Sequence, residues 1–238
     1  EAFFTDSTFN LTNGYIRSES TLNFTSSSLE GGGISYWNTI SVSGNTFFDK
    51  TTLVGEDTGN ITIEEAGALT ISNSSLTYCA GIANVGTLTS NNNTYVNCGI
   101  TNVATLYLNN SILAGSSTCQ GLVAGGNSNL IESTGENACN LSNGLNGNII
   151  GSLANVYQVT GNSNFGYFAL AGNSPAIDAG DDSICAAEPV SNTSQNGITR
   201  PVGGGCDIGS YESPFQMSID EDEVVSDCTD SRCFATSG

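Results

Sequence analysis

Residues 68–114 read ALTISNSSLTYCAGIANVGTLTSNNNTYVNCGITNVATLYLNNSILA, and this stretch decides the fold. Three columns of residues recur through it at intervals of 19 and then 18 positions: Leu69, Leu88 and Leu106; Ile71, Ser90 and Leu108; Leu76, Tyr95 and Leu113. Residues two positions apart point to the same face of a β-strand. A repeat of this length, with turn signals and no helical period, predicts one three-sided coil in which each inward side chain stacks about 4.8 Å from its equivalent.

The columns extend towards the N-terminus if one earlier coil is longer than the others. All columns then share intervals of 18, 29, 19 and 18 residues, and their members are Ile16, Ile34, Ile63, Ile82 and Ile100; Leu22, Ile40, Leu69, Leu88 and Leu106; Phe24, Val42, Ile71, Ser90 and Leu108; Leu29, Phe47, Leu76, Tyr95 and Leu113. Phe4 and Leu11 extend two columns by one further coil. This register predicts an insertion loop at 48–62 that contains Asp49, Lys50, Glu56 and Asp57. Such a loop is either a functional site or a solvated corner.

We therefore predict an all-β fold, a right-handed single-stranded parallel β-helix of about 18–19 residues per coil, with an irregular disulfide-fastened C-terminal cap. Residues 1–131 form the regular coils, 132–212 the looser coils and the cap, and 213–238 an acidic tail with a local disulfide loop. A leucine-rich repeat has a similar period but requires a LxxLxLxxN frame, which this sequence lacks.

A polar corner accompanies the columns. Asn73, Asn92 and Asn110 occupy one position in successive coils, and Gly44 is assigned to the same position earlier. Asn and Gly tolerate the left-handed backbone conformation. We expect a structural ladder of stacked Asn side chains at this corner.

Eight cysteines in a chain without His favour disulfides in an oxidising compartment over a zinc site. Cys79 and Cys98 fall at matching points of adjacent coils, so the register predicts their bridge. The pairs Cys119–Cys139, Cys185–Cys206 and Cys228–Cys233 are expected only because their members are near one another in sequence. Eight cysteines allow 105 pairings.

The net charge of −19 argues against nucleic-acid binding and against polyanionic glycans, because only 4 basic residues oppose 23 acidic ones. Calcium is a possible cofactor, since Asp178, Asp181 and Asp182 lie close together and Ca²⁺ binds carboxylate oxygens. The alternative is a solvated acidic segment. The sequence has no run of about 20 apolar residues, so we expect no membrane span.

Two C-terminal motifs resemble a known family. Residues 173–181 read NSPAIDAGD, Cys185 follows, and residues 195–212 read QNGITRPVGGGCDIGSYE. This ending resembles that of choice-of-anchor Q domain proteins, and the upstream coils resemble the repeats of polymorphic outer membrane proteins. The sequence departs from the family pattern at Ser194, Asn196 and Ser210. The resemblance implies a β-helix at an extracellular or cell-surface location and no defined reaction.

A β-helix ends in unpaired backbone groups that need a cover. We expect the C-terminal motif to be that cap, held by an ion pair between Arg200 and either Asp207 or Asp178. A ligand-binding role for Arg200 is the alternative.

The sequence favours an extracellular structural or adhesive module over an enzyme. Glycosidases need two converging carboxylates, whereas Glu64 and Glu65 are strand neighbours that point to opposite faces. Between Ile16 and Leu113, where the columns repeat, the other acids are Glu19, Glu30 and the loop acids. The alternative is a polysaccharide lyase, a glycoside hydrolase or a glycan-binding module. An ice-binding face would need longer threonine rows than Thr70 and Thr89, which Tyr107 interrupts.

The expected partners are other copies of the chain, surface proteins or glycans. The sequence begins in mid-strand at Phe3 and Phe4, so an open first coil could accept a strand and build a head-to-tail filament. Asn-X-Ser/Thr triplets, which arise easily in so polar a chain, begin at Asn10, Asn23, Asn60, Asn73, Asn92, Asn109, Asn140 and Asn192.

Overall fold

The structure is a computed structural model that describes residues 1–10, 16–30, 39–55, 60–159 and 166–214. Within these ranges, three parallel sheets stack coil upon coil, and the predicted β-solenoid is confirmed. Sheet A contains β1 (Ala2–Thr5), β4 (Leu22–Thr25), β7 (Asn45–Asp49), β10 (Ala68–Ser72), β13 (Thr87–Asn91), β16 (Thr105–Asn109) and β19 (Gly125–Asn127).

Sheet B contains β2 (Thr8–Asn10), β5 (Ser28–Glu30), β8 (Thr52–Val54), β11 (Ser75–Thr77), β14 (Thr94–Val96), β17 (Ile112–Ala114), β20 (Leu130–Ile131) and β21 (Ile149–Ile150). Sheet C contains β3 (Ile16–Ser18), β6 (Thr39–Val42), β9 (Asn60–Ile63), β12 (Gly81–Asn84), β15 (Ile100–Asn102) and β18 (Cys119–Gln120). Two 3₁₀ helices (Gly135–Asn137 and Leu145–Gly147), an antiparallel hairpin of β22 (Val156–Val159) and β23 (Tyr167–Leu170), and a short helix α1 (Asp182–Ala186) follow.

The main core runs along the axis of the coils and consists of the inward residues of all three sheets. Phe4, Phe24 and Phe48 form one stack, with ring centroids 5.1 and 5.3 Å apart. At the other end of the core, Ala138 is buried and Leu141 packs against it. Residues 135–148 therefore lie over the last coils, and the amide of Cys139 donates to the Cys119 carbonyl at 2.6 Å.

The predicted register is confirmed from β10 onwards. Leu69 pairs with Leu88 and Leu88 with Leu106, and the Leu76 and Ile71 columns follow the same intervals. The next coil is also regular, since Leu113 pairs with Ile131, 18 residues later. Eighteen or nineteen residues per coil is thus the period of this part of the solenoid.

The predicted register is wrong in the coils before β10. Leu22 pairs with Thr46 and not with Ile40, which belongs to sheet C and pairs with Ile16 and Ile61. The two coils between Leu22 and Leu69 contain 24 and 23 residues, so the extra length is shared between them. The physical reason is that all three sides of a coil alternate apolar-in and polar-out, so alternation cannot tell one side from another.

The single insertion loop expected at 48–62 is wrong for the same reason. β7 ends at Asp49, β8 spans Thr52–Val54 and β9 begins at Asn60, so strands occupy much of this range. Glu56 and Asp57 lie outside the described residues, as do Leu11 and Ile34.

The C-terminal segment is a lateral strap and not a cover for the end of the solenoid. We call residues 171–214 the strap. It packs on the outer side of sheet B, where a second core contains Ile112, Leu130, Ala176 and Ile208. At Gly209, with φ of +102°, an added Cβ would lie 2.7 Å from the Ile112 side chain, so only glycine allows this approach. Sheet B is therefore buried on both faces at this level.

Candidate functional site

The expected column of Asn residues is present at the corner between sheets A and B, and a side-chain hydrogen bond joins two of its three members, Asn92 and Asn110. The Asn73 side chain instead donates to Asp49 and Thr193. Asn73, Asn92 and Asn110 all have φ near +50° and are fully buried. Asn110 Nδ2 donates to Asn92 Oδ1 at 3.4 Å. The assignment of Gly44 to this column is wrong, because strand pairing places Lys50, also with positive φ, one coil before Asn73. Lys50 is thus a corner residue of the ladder and not a loop residue.

A second polar ladder lies one residue further along the chain than the Asn column. It was not predicted from the sequence. The Ser74 amide donates to Asn93 Oδ1 at 2.9 Å, and the Asn93 amide donates to Ser111 Oγ at 3.3 Å. The Ser111 amide then donates to Asn129 Oδ1 at 3.0 Å, and the Asn129 amide to Asn148 Oδ1 at 3.0 Å. The recurrence of Ser and Asn at intervals of 19 and 18 residues was the signal that could have revealed it. These buried side chains satisfy backbone N–H groups from coil to coil.

Three of the four expected disulfides are confirmed. Cys79–Cys98 and Cys119–Cys139 each join adjacent coils, with Cα–Cα distances of 4.8 Å. Cys185–Cys206 closes a loop within the strap. Cys228 and Cys233 lie outside the described residues.

Arg200 is the centre of the strap, but its expected ion-pair partner is wrong. Its guanidinium pairs with Glu212, at 2.8 Å from Nη1 to Oε2, and neither side chain is exposed. Arg200 also donates to the backbone carbonyls of Thr193, Asp207 and Gly209. The Asp207 carboxylate instead accepts from the backbone amides of Asp178 and Ser213, at 2.9 and 2.7 Å. The spacing of residues along the sequence was not enough to identify the acid that pairs with Arg200, because it does not give the turn geometry between residues 200 and 212.

Burial dominates the electrostatics of this network. It lowers the pKa of Arg200, against the opposing effect of Glu212. It raises the pKa of both Asp207 and Glu212, although backbone hydrogen bonds and Arg200 act in the other direction. An arginine and two carboxylates enclosed in this way hold a backbone fold together, and no side of the ion pair is open to a ligand.

Ser194, Asn196 and Ser210 form contacts of the strap. These are the positions at which the sequence departs from the pattern of the family it resembles. Asn196 donates to the Glu212 carbonyl at 2.9 Å, and its Oδ1 accepts from the Glu212 amide at 3.2 Å. Ser194 donates to Asn196 Oδ1 at 2.7 Å. The Ser210 amide donates to Thr94 Oγ1 of sheet B at 3.0 Å. These residues fasten the strap to itself and to the solenoid.

The three acids proposed for calcium are each bound to backbone amides. Asp178 Oδ1 accepts from Gly204 at 2.9 Å, and Asp182 Oδ1 from Cys206 at 2.8 Å. Asp181 is the N-cap of α1 and accepts from the Ser183 amide at 2.9 Å. Across the described ranges, no group of three or more Asp, Glu, His or Cys residues has the arrangement needed to hold a metal ion. Calcium binding stays a prediction.

The other acids considered from the sequence lie at separate places. Asp49 Oδ1 accepts from Ser72 and Asn73 beside the ladder. Glu19 pairs with Arg17 at the surface, at 3.0 Å. Glu64 and Glu65 are exposed after β9, and Glu64 accepts from Ser41 at 3.2 Å.

The exposure of the Asn-X-Ser/Thr triplets varies widely. Asn73 and Asn92 are buried, whereas Asn60 and Asn140 are exposed. The described residues include no helix that is both long and apolar enough to cross a membrane.

No protein-family model matches the chain, and neither the curated proteins nor the solved structures yielded a match. The resemblance to choice-of-anchor Q and polymorphic outer membrane proteins therefore stays a prediction. The three disulfides by themselves indicate a non-reducing environment, since cytosolic thiols are kept reduced.

Proposed function

We propose that this chain is a structural and adhesive module of an extracellular surface protein. The observation that carries the proposal is the way each coil is fastened to the next. Two disulfides and two buried polar ladders cross from coil to coil, and the strap closes the outer side of sheet B. A scaffold fastened in this way presents its remaining surfaces in fixed positions, which suits a rod that displays binding faces outside the cell.

Head-to-tail assembly is part of the proposal. Strands β1, β2 and β3 are the outermost strands of the three sheets in the described ranges. Ala2 and Asp6 donate their amides towards β4. Alternate residues of a strand direct their backbone groups to opposite neighbours, so Phe3 and Thr5 direct theirs away from β4. Such an edge is a template for a strand of another molecule.

Sedimentation velocity over a wide concentration range tests the assembly. We expect larger species as concentration rises, and we expect Phe3→Pro to abolish them because proline removes an outward N–H group. Phe3→Ala is the matched control: it removes the same exposed ring but keeps the N–H. A single monomeric species at all concentrations would exclude head-to-tail assembly.

A separate assay tests the module against the enzyme alternative. The purified chain is incubated with neutral and acidic polysaccharides, and reducing ends and unsaturated products are measured over time. We expect neither to accumulate. Accumulation of either product would replace the structural proposal with a glycoside hydrolase or a lyase.

A further inference from the structure

The outer face of sheet A is free of charge over three successive strands. The outward residues of β10, β13 and β16 that are at least partly exposed are Ala68, Thr70, Thr87, Thr89, Asn91, Thr105, Tyr107 and Asn109. Ser72, at the end of β10, is buried and donates to Asp49. A chain with a net charge of −19 has many acids available to solubilise such a surface, yet no Asp or Glu occupies these outward positions. The acid beside this surface in sheet A is Asp49 of β7, which pairs with Ser72 and accepts from its hydroxyl at 2.8 Å. A neutral face of hydroxyls and amides suits a neutral, hydrogen-bonding ligand.

Tyr107 projects a flat aromatic ring from this face. The outward position next to it in the following coil is Gly125, and a Cβ there would lie 3.3 Å from Tyr107 Cδ1. The missing side chain therefore leaves room for the ring to lie along the sheet. Tyr107 is 42% exposed although it is flanked by neighbours on its own strand and on β13. An aromatic ring lying on a sheet offers one whole face to a ligand.

Polar groups surround that ring on the same face. Thr105 and Asn109 lie two positions to either side on β16, and Thr89 is its partner on β13. Asn109 Nδ2 donates to Asn91 Oδ1 at 3.0 Å, which fixes the two side chains in a row along the solenoid axis. Adjacent strands are about 4.8 Å apart, so equivalent groups repeat at this spacing. One unit of an extended, β-linked sugar chain has a similar length.

We propose that the outer face of sheet A binds a neutral polysaccharide chain lying along the solenoid axis, with Tyr107 stacked on a sugar ring. The threonine hydroxyls and the Asn91–Asn109 row hydrogen-bond to the sugar hydroxyls. The negative charge of the whole chain disfavours polyanionic glycans, and the neutral face does not attract them. This inference rests on the proposed extracellular function and names the partner of its adhesive surface.

The test is binding of cellohexaose and xylohexaose, measured by isothermal titration calorimetry and by chemical-shift changes of the tyrosine rings. Tyr107→Thr copies Thr89 of the preceding coil and should weaken binding about tenfold. Tyr78 provides a matched control, since it is similarly exposed, at 45%, but lies at the corner after sheet B. Tyr78→Asn copies Asn97, the residue at that corner one coil later with the same positive φ. This control should bind as the unmodified chain does.

Three results would overturn the inference. These are no binding of either oligosaccharide, equal binding by the Tyr107→Thr variant, or binding of polygalacturonate as strong as that of the neutral sugars. In the unmodified chain, the ring signals of Tyr107 should shift on titration, which tests the site without any variant. Sugar binding and sedimentation behaviour are measured separately. Failure of the sugar-binding inference is therefore distinguishable from failure of the proposed function.

Discussion

Replacing Arg200 with Met should destabilise the strap, because the buried carboxylate of Glu212 loses its ion-pair partner. In the native chain, the guanidinium satisfies the Glu212 carboxylate and the carbonyls of Thr193, Asp207 and Gly209. Methionine has a similar length but no donor, so all four acceptors lose a hydrogen bond inside a buried region. Removing one partner of a buried ion pair costs about 3–5 kcal/mol. We expect a loss of this size in the free energy of unfolding at pH 7.

The loss should depend on pH in a defined direction. Burial already raises the pKa of Glu212, and Arg200 opposes that rise. Without Arg200, the pKa of Glu212 in the folded state rises further above its unfolded value. A raised carboxyl pKa gives stability that is fully present below the unfolded pKa, about 4.3, and is lost as pH rises through the folded pKa. Arg200→Met should therefore be less destabilised at pH 5 than at pH 7.

Urea unfolding followed by circular dichroism at both pH values measures this effect, and hydrogen exchange of peptides from 171–214 locates it. Arg17→Met is the control, because it removes the same charge from a surface pair and should change stability by less than about 0.5 kcal/mol. The double variant Arg200→Met with Glu212→Gln should lose less than Arg200→Met alone, since no buried charge is left unpaired. A loss below about 1 kcal/mol at pH 7, or no difference between the pH values, would refute the reasoning.

Three further predictions concern the solenoid. Leu76→Ala should lower the free energy of unfolding in urea by about 2–5 kcal/mol because the side chain is fully buried. Thr70→Ala on the outer face should change it by less than about 0.5 kcal/mol, and equal effects of the two substitutions would contradict the register. Replacing both Cys79 and Cys98 with Ala should cost about 3 kcal/mol, since the bridge spans 19 residues, and an unchanged unfolding midpoint would count against a stabilising role. Asn93→Ala should lower the free energy of unfolding by about 1–3 kcal/mol, because it leaves the buried N–H group of Ser74 without an acceptor. It should also speed hydrogen exchange of the backbone amides in the second ladder, and unchanged exchange would contradict that ladder.

The sequence was sufficient to predict the fold class, the coils from β10 onwards and the Cys79–Cys98 bridge. It was not sufficient to predict the register of the coils before β10. Apolar and polar residues alternate around Ile40 on sheet C just as they do around Leu22 on sheet A, so the two sheets could not be told apart. The second ladder was missed because Ser and Asn look like ordinary turn residues in so polar a chain. A coil-by-coil comparison of both apolar and polar positions would have been needed to separate the three sides.

The strap shows how a sequence signal can be present and still be assigned wrongly. Ile112, Leu113 and Ala114 form an uninterrupted apolar run, which is typical of a strand buried on both faces. That run indicated a layer outside sheet B, but the C-terminal motif was assigned to the end of the solenoid, where unpaired backbone groups are expected. The glycine at position 209 and the hydrogen bonds of Ser210 are contacts that only the folded chain reveals.

The three sides of the solenoid are unequal, and this inequality is the strongest guide to function. The strap covers the middle of sheet B, so that side serves stability. Sheet C offers fewer outward positions, because its strands are two to four residues long and direct only one or two residues outwards. Sheet A has five-residue strands in β7, β10, β13 and β16, which place three outward residues side by side. It is therefore the broadest regular surface in the described part of the chain, and an adhesive role should be sought first around Tyr107.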